Sequence, residues 1–124
     1  MTFRYAKDEQ NIVTLTLDMP GRTANVLNDE FGAGFREALA KLAAESALAG
    51  VILTSGKKTF LAGADLEWLV QATDAAEIFH NTEELKAGFR QLETLGKPVV
   101  AALNGTALGG GMELALASHY RIAL

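Results

Sequence analysis

Val99-Val100-Ala101-Ala102-Leu103-Asn104-Gly105-Thr106-Ala107-Leu108-Gly109-Gly110-Gly111-Met112-Glu113 passes from five unbroken apolar residues, through an Asn-Gly turn, to three glycines that open a helix-forming run reaching Ser118. A strand without polar alternation suits a sheet covered on both faces, and parallel strands of that kind need a crossover between them. The flanks supply one. Upstream, Ile78, Phe79, Leu85, Phe89, Leu92 and Leu95 form the apolar stripe of a helical pattern from about Ala75 to Leu95, which Gly96-Lys97-Pro98 stops. Before it come a short helical pattern with Leu66, Trp68, Leu69 and Val70, a small-residue loop at Ala62-Gly63-Ala64-Asp65, and a second continuous apolar strand, Val51-Ile52-Leu53-Thr54. Phe31, Phe35, Leu39 and Leu42 recur at helical spacing behind a cap at Asn28 or Asp29. Ile12-Val13-Thr14-Leu15-Thr16-Leu17 alternates as a half-buried strand, and Tyr120-Arg121-Ile122-Ala123-Leu124 reads as a last one. Strands and helices in this alternation predict an α/β fold with buried strands.

A length of 124 residues suits one domain or part of one. No repeat, low-complexity tract or linker divides it. Leu124 stands inside an apolar strand, and an edge finished that way needs cover. The expectation is therefore the front portion of a longer domain, against a complete domain whose edge a partner covers. The absence of cysteine excludes a disulfide framework and thiolate zinc sites. Two histidines, His80 and His119, are a poor basis for a metal site, and none is expected. Eleven basic against fifteen acidic residues, with no basic tract, argue against a nucleic-acid partner. No apolar run approaches the ~20 residues that span a bilayer, so no transmembrane segment is expected. The amino-terminal stretch has neither a signal-peptide apolar core nor an acid-poor transit character, which makes the expected location cytoplasmic.

Three glycines before a helix bring bare N–H groups to its start. A tight strand-to-helix connection is the plain reading of such a triplet. Phosphate binding fits poorly. Gly105 and Gly110 have the spacing of a phosphate-loop pair, but Gly111 and Met112 follow where Lys and Ser or Thr are needed. No glycine three residues beyond Gly111 completes a dinucleotide fingerprint either. Beside the plain connection, the functional reading that survives is an oxyanion hole, two fixed N–H groups converging where negative charge develops, with Ala62-Gly63-Ala64-Asp65 as a candidate for its other half. Glu113 lies two residues past the glycines. Either it complements the helix dipole, or, facing an apolar cavity, it is a carboxyl that exchanges protons near neutrality.

Asn104-Gly105-Thr106-Ala107-Leu108-Gly109-Gly110-Gly111-Met112-Glu113-Leu114-Ala115 resembles the signature of the crotonase (enoyl-CoA hydratase/isomerase) superfamily, and Phe60-Leu61-Ala62-Gly63-Ala64-Asp65-Leu66 resembles its other motif. Asp18-Met19-Pro20-Gly21-Arg22-Thr23-Ala24-Asn25-Val26-Leu27-Asn28, with His119-Tyr120-Arg121-Ile122-Ala123, is similar to the multifunctional branch found in fatty-acid oxidation complexes, where the hydratase domain precedes an NAD-dependent 3-hydroxyacyl-CoA dehydrogenase. The resemblance implies a crotonase-like spiral of ββα units, of which residues 1–124 would be the N-terminal portion. It implies hydration of trans-2-enoyl-CoA to 3-hydroxyacyl-CoA, with the N–H groups of Ala64 and Gly110 on the thioester oxygen and Glu113 as one of two catalytic glutamates. The other would lie beyond residue 124, so the chain alone is expected to be inactive. Coenzyme A would be held by Ala24, Asn25, Val26 and Leu27 and by Ala62, Gly63, Ala64, Asp65 and Leu66, with Gly110. This region would need no cofactor, since acyl-CoA is the substrate and NAD would serve only a downstream dehydrogenase. A homo-oligomer or a thiolase-containing complex is the implied assembly.

The other polar residues read more plainly. His80, among Glu77, Glu83 and Glu84, is a solvated surface residue; His119 packs or hydrogen-bonds; Trp68 and the phenylalanines are core; Lys57-Lys58 is an exposed turn rather than a phosphate contact. Two rival functions stay open. A Δ3-Δ2 enoyl-CoA isomerase would use the same oxygen site with one proton shuttle, and a non-catalytic acyl-CoA-binding or assembly module would use none.

Overall fold

Val13, Leu15 and Leu17 are buried while Ile12, Thr14 and Thr16 are only half so, as their alternation requires. In the computed structural model, which describes residues 1–124, they form β2 (Ile12–Leu17) of a five-stranded sheet. Its other members are β1 (Phe3–Lys7), β3 (Gly50–Ser55), β4 (Val99–Leu103) and β5 (Tyr120–Ala123), and the spatial order is β1-β2-β3-β4-β5. β1 runs antiparallel to β2, and all later pairings are parallel. The register sets Leu15 beside Leu53 and Leu53 beside Ala101, so one face of the sheet is a continuous apolar floor.

Helix α1 (Asp29–Ala44) starts at Asn28, whose side chain accepts from the Phe31 N–H at 3.0 Å, and it lays Phe31, Phe35, Ala38, Leu39 and Leu42 onto that floor. Phe3 and Phe31 stand 5.6 Å apart, Phe31 and Phe35 5.5 Å, and Phe35 and Phe89 5.9 Å, which ties β1, α1 and α3 (Ala75–Glu93) together through rings. Between β3 and α3 lies α2 (Leu66–Gln71), capped by the Asp65 carboxylate, and α4 (Gly110–Leu116) joins β4 to β5.

Four expectations need correction. β1 is an additional strand: its polar Arg4 and Lys7 dilute the pattern, but Asp8, which accepts from the N–H groups of Gln10 and Ile12, and Asn11 at φ 62° turn it into β2. β3 and β4 are covered on one face only; Val51, Leu53, Val99 and Ala101 are buried, whereas Ile52, Thr54, Val100 and Ala102 are half-buried. The stripe of α3 is core only in its second half. Leu92 is buried, with Leu85 and Phe89 packed beside it, while Phe79 is 68% exposed, and the helix closes at Glu93 with Thr94 as its cap. Trp68 is half-buried on a helix that buries nothing, so it is not core.

Candidate active site

Three loops leave the carboxyl ends of β2, β3 and β4, the end of a parallel sheet where crevices form. They pair with one another. The Ala62 N–H donates to the Asn25 carbonyl (2.9 Å), Leu27 to Gly63 (2.7 Å) and Asp65 to Leu27 (2.9 Å), which sets Leu27 beside Ala64 in parallel. On the other side, Leu61 donates to Thr106 (3.2 Å) and Leu108 to Leu61 (3.1 Å), with Leu61 beside Ala107. A small three-segment ladder thus stands on the end of the main sheet, with residues 60–65 in its middle.

That ladder brings the two small-residue loops into contact. Gly63, at φ +94°, is buried so closely against the Leu108 carbonyl that a Cβ on it would lie 3.1 Å from that oxygen. Gly109, at φ +52°, faces it across the gap. Both glycines hold a backbone shape that other residues rarely adopt. Each precedes an amide, Ala64 or Gly110, that donates no hydrogen bond within the chain. Backbone N–H groups without a partner are uncommon, and two on abutting loops are a constellation.

A cleft of about 360 Å³ opens beside Ala64, lined by Arg22, Val26, Ala62, Ala64, Asp65, Leu66 and Glu67. The Arg22 guanidinium meets the Asp65 carboxylate at 2.8 Å on its rim. Partial burial pushes the Asp65 pKa up, but the Trp68 and Glu67 N–H groups and Arg22 outweigh it, so the carboxyl stays below the ordinary range. Glu113 sits on the first turn of α4, its N–H bonded to the Gly109 carbonyl at 3.0 Å; its carboxylate is exposed and has no partner within the chain.

A sequence profile described as "Enoyl-CoA hydratase/isomerase" matches residues 7–124. The chain belongs to the enoyl-CoA hydratase/isomerase (crotonase) family. It is similar to the fatty acid oxidation complex subunit alpha of Shewanella halifaxensis, 43% identical over 122 residues, and to that of Shewanella loihica, 45% identical over 125. Each match covers 98% of this chain and 17% of the relative, so the chain spans about a sixth of those proteins. Among solved structures it is similar to an enoyl-CoA hydratase from Bacillus anthracis (TM-score 0.89, 31% identity, 99% of this chain and 47% of that one). Another, from Bacillus halodurans, matches with TM-score 0.88, 28% identity, 99% of this chain and 50% of that one.

Within this crotonase-family chain the expected site residues separate. Ala64 is exposed, Gly110 half-exposed, and Val26, Ala62, Asp65 and Leu66 line the cleft with Ala64. Ala24 lies half-buried on the loop before them, and Leu27 is buried under Gly110. Asn25 departs from its expected part: it is 0% exposed and its side chain is committed to protein groups, so no polar atom of that side chain is left for a ligand. Glu113 is not enclosed by an apolar cavity of these 124 residues. Lys57 is no open turn residue, since its ammonium is tied to the Arg22 carbonyl (2.7 Å) and to Asp18 (3.0 Å). His80 is exposed beside Glu84. His119 is a tie between elements: Nδ1 accepts from the Val99 N–H at 2.9 Å, leaving the proton on Nε2 for the Glu93 carbonyl at 2.7 Å. Arg22 was missed by sequence reasoning, although an arginine in a loop two residues before Ala24 is a visible candidate for a cleft rim.

Proposed function

We propose that this chain supplies the first half of an enoyl-CoA hydratase site within a longer polypeptide, and that it is inactive by itself. The observation that carries the reading is the pair of uncommitted amides, Ala64 and Gly110, each following a positive-φ glycine where the two loops abut. On this reading both N–H groups hold the thioester oxygen of a trans-2-enoyl-CoA. Polarisation makes the β-carbon electrophilic; water oxygen bonds to it, the double-bond electrons move onto the thioester as an enolate, and a proton then reaches the α-carbon. Glu113 takes part in activating the water. A second glutamate from beyond residue 124, together with the surfaces that enclose Glu113, completes the acid–base pair. Removing one oxyanion donor typically costs about a hundred- to thousandfold in rate.

The cleft lined by Val26, Ala62, Asp65 and Leu66 would take the coenzyme A arm, with Arg22 the cation available to its phosphates. Similarity to fatty acid oxidation complex subunit alpha supports a place in fatty-acid β-oxidation. A following dehydrogenase that uses NAD, an oligomeric or thiolase-bound assembly and a cytoplasmic location belong to the same reading. No helix is long and apolar enough to cross a membrane.

The test is crotonyl-CoA hydration by the intact polypeptide and by its Glu113→Gln variant. The wild type should hydrate, and the variant should lose at least about a hundredfold in kcat, the lower end of what one general acid–base group contributes. Undiminished turnover would remove Glu113 from the chemistry. Conversion of a 3-enoyl-CoA without hydration would make the protein an isomerase, and tight acyl-CoA binding without either reaction would make it a binding module.

A further inference from the structure

Asn25 is the only asparagine in the chain without exposed surface, and every polar atom of its side chain is engaged. Its Oδ1 accepts from the Met19 N–H at 3.0 Å. Its Nδ2 faces three acceptors: the Leu17 carbonyl at 3.0 Å, Ser55 Oγ at 2.9 Å and the Phe60 carbonyl at 3.1 Å. The Ser55 hydroxyl points its own proton at the Thr59 carbonyl (2.6 Å), so toward Asn25 it acts as an acceptor. Two N–H groups therefore serve three oxygens, and the amide orientation is fixed by the network: only the nitrogen can face them. The backbone adds one more tie, the Ala62 N–H on the Asn25 carbonyl at 2.9 Å.

These bonds divide between two bodies. Leu17 and Ser55 end strands β2 and β3 of the main sheet, while Phe60 and Ala62 belong to the middle segment of the small ladder that carries Ala64. Asn104 grips the same turn from the far side, donating from Nδ2 to the carbonyls of Ser55 (3.0 Å) and Lys57 (2.9 Å). Residues 55–60 are thus held between two asparagine amides: Asn25, on the loop after β2 that pairs with the Ala64 segment, and Asn104, just before the loop that ends at Gly110. Surface ties do not substitute, because the network is buried and a lost partner there is not replaced by water.

We infer that Asn25 is a positioning residue for the Ala64 amide, setting the oxyanion site through Phe60 and Ala62 without touching substrate. The inference rests on the reading of Ala64 and Gly110 as thioester-oxygen donors. Asn25→Asp keeps the shape and the Met19 contact but turns an oxygen, instead of N–H groups, toward three acceptors. The intact polypeptide is compared as wild type, Asn25→Asp, Ser55→Ala and Tyr5→Phe. Tyr5→Phe is a matched control that deletes the distant 2.8 Å bond to Glu45. The readouts are kcat and KM for crotonyl-CoA and the infrared carbonyl stretch of a ¹³C-labelled thioester bound to each protein.

The expected result for Asn25→Asp is a kcat at least about tenfold lower, a fraction of the loss for removing a donor outright. KM should stay within threefold, and the bound carbonyl stretch should move back toward its value in water. Ser55→Ala should show the same split to a smaller extent, and it decides the matter alone if Asn25→Asp does not fold. Tyr5→Phe should lower the melting temperature and leave kcat and the stretch in place. A folded Asn25→Asp, or failing that Ser55→Ala, with wild-type kcat and stretch overturns the positioning role while the oxyanion reading stands. A wild type that does not shift the bound carbonyl overturns the oxyanion reading, and the inference with it.

Discussion

Gly63 and Gly109 abut across the two loops, so closely that a Cβ on Gly109 would stand 3.8 Å from the Gly63 Cα. Gly63 is bonded through its carbonyl to the Leu27 N–H, and Gly109 through its carbonyl to the Glu113 N–H of the helix it opens. The contact sets the separation of the two loops, and with it the amides that follow.

Gly63→Ala meets two obstacles at once, a φ of +94° and the Leu108 carbonyl 3.1 Å from the new carbon. Backbone strain of this kind costs about 1–3 kcal/mol. Chemical denaturation should register a loss in that range, and in the intact polypeptide crotonyl-CoA hydration should fall by more than the folded fraction does, because Ala64 moves with its neighbour.

The glycines of the triplet should differ in tolerance. A methyl on Gly111 would run into the Leu61 carbonyl, which is backbone and fixed in the ladder, whereas one on Gly110 would meet the Cδ1 end of the Leu27 side chain. A flexible side chain yields more cheaply than a peptide. Gly111→Ala should cost the ~1–3 kcal/mol of an overpacked core, Gly110→Ala less, and adding Leu27→Ala should recover stability from strain in the second and not in the first. Denaturant midpoints of the wild type, the three single variants and the two doubles check the order.

Asp18 supplies a pH dependence. The hydrogen bond from the Lys57 ammonium holds its carboxyl below the ordinary value of 3.8, against the effect of burial and with Arg4 adding to it. A depressed folded-state pKa contributes stability above the unfolded value and loses it as pH falls through the folded one. Lys57→Met should therefore destabilise the chain by an amount that is steady at neutral pH and shrinks as pH drops below 3.8, leaving only the share owed to the Lys57 bond on the Arg22 carbonyl. Urea melts of both proteins at neutral pH and at acid pH measure the difference. A gap that does not narrow would assign the whole effect to that carbonyl bond.

How legible all this was in the sequence depends on whether a residue's part is local. The helix cap at Asn28, the alternation of β2 and the glycine opening of α4 are written within a few positions, and they are where the sequence reading and the structure agree. β1 was obscured because Arg4 and Lys7 point to Asp18 and Glu45, partners 14 and 38 residues away. Phe79 and Trp68 carry the composition of core residues, yet nothing in a helical period tells which half of a stripe the other layer reaches. Within the site, the small-residue loops were visible as segments. Their contact, and the turning of Asn25 from the cleft into the interior, follow from Leu17, Ser55 and Phe60 meeting around one amide, which no spacing encodes.

The spatial order β1-β2-β3-β4-β5 repeats the order of synthesis. Every strand, as it leaves the ribosome, therefore finds its neighbour already laid down, and none has to wedge between two that are paired. A chain built in this sequence can zip up vectorially from the β1–β2 hairpin, with α1 closing over strands that are paired before the helix exists.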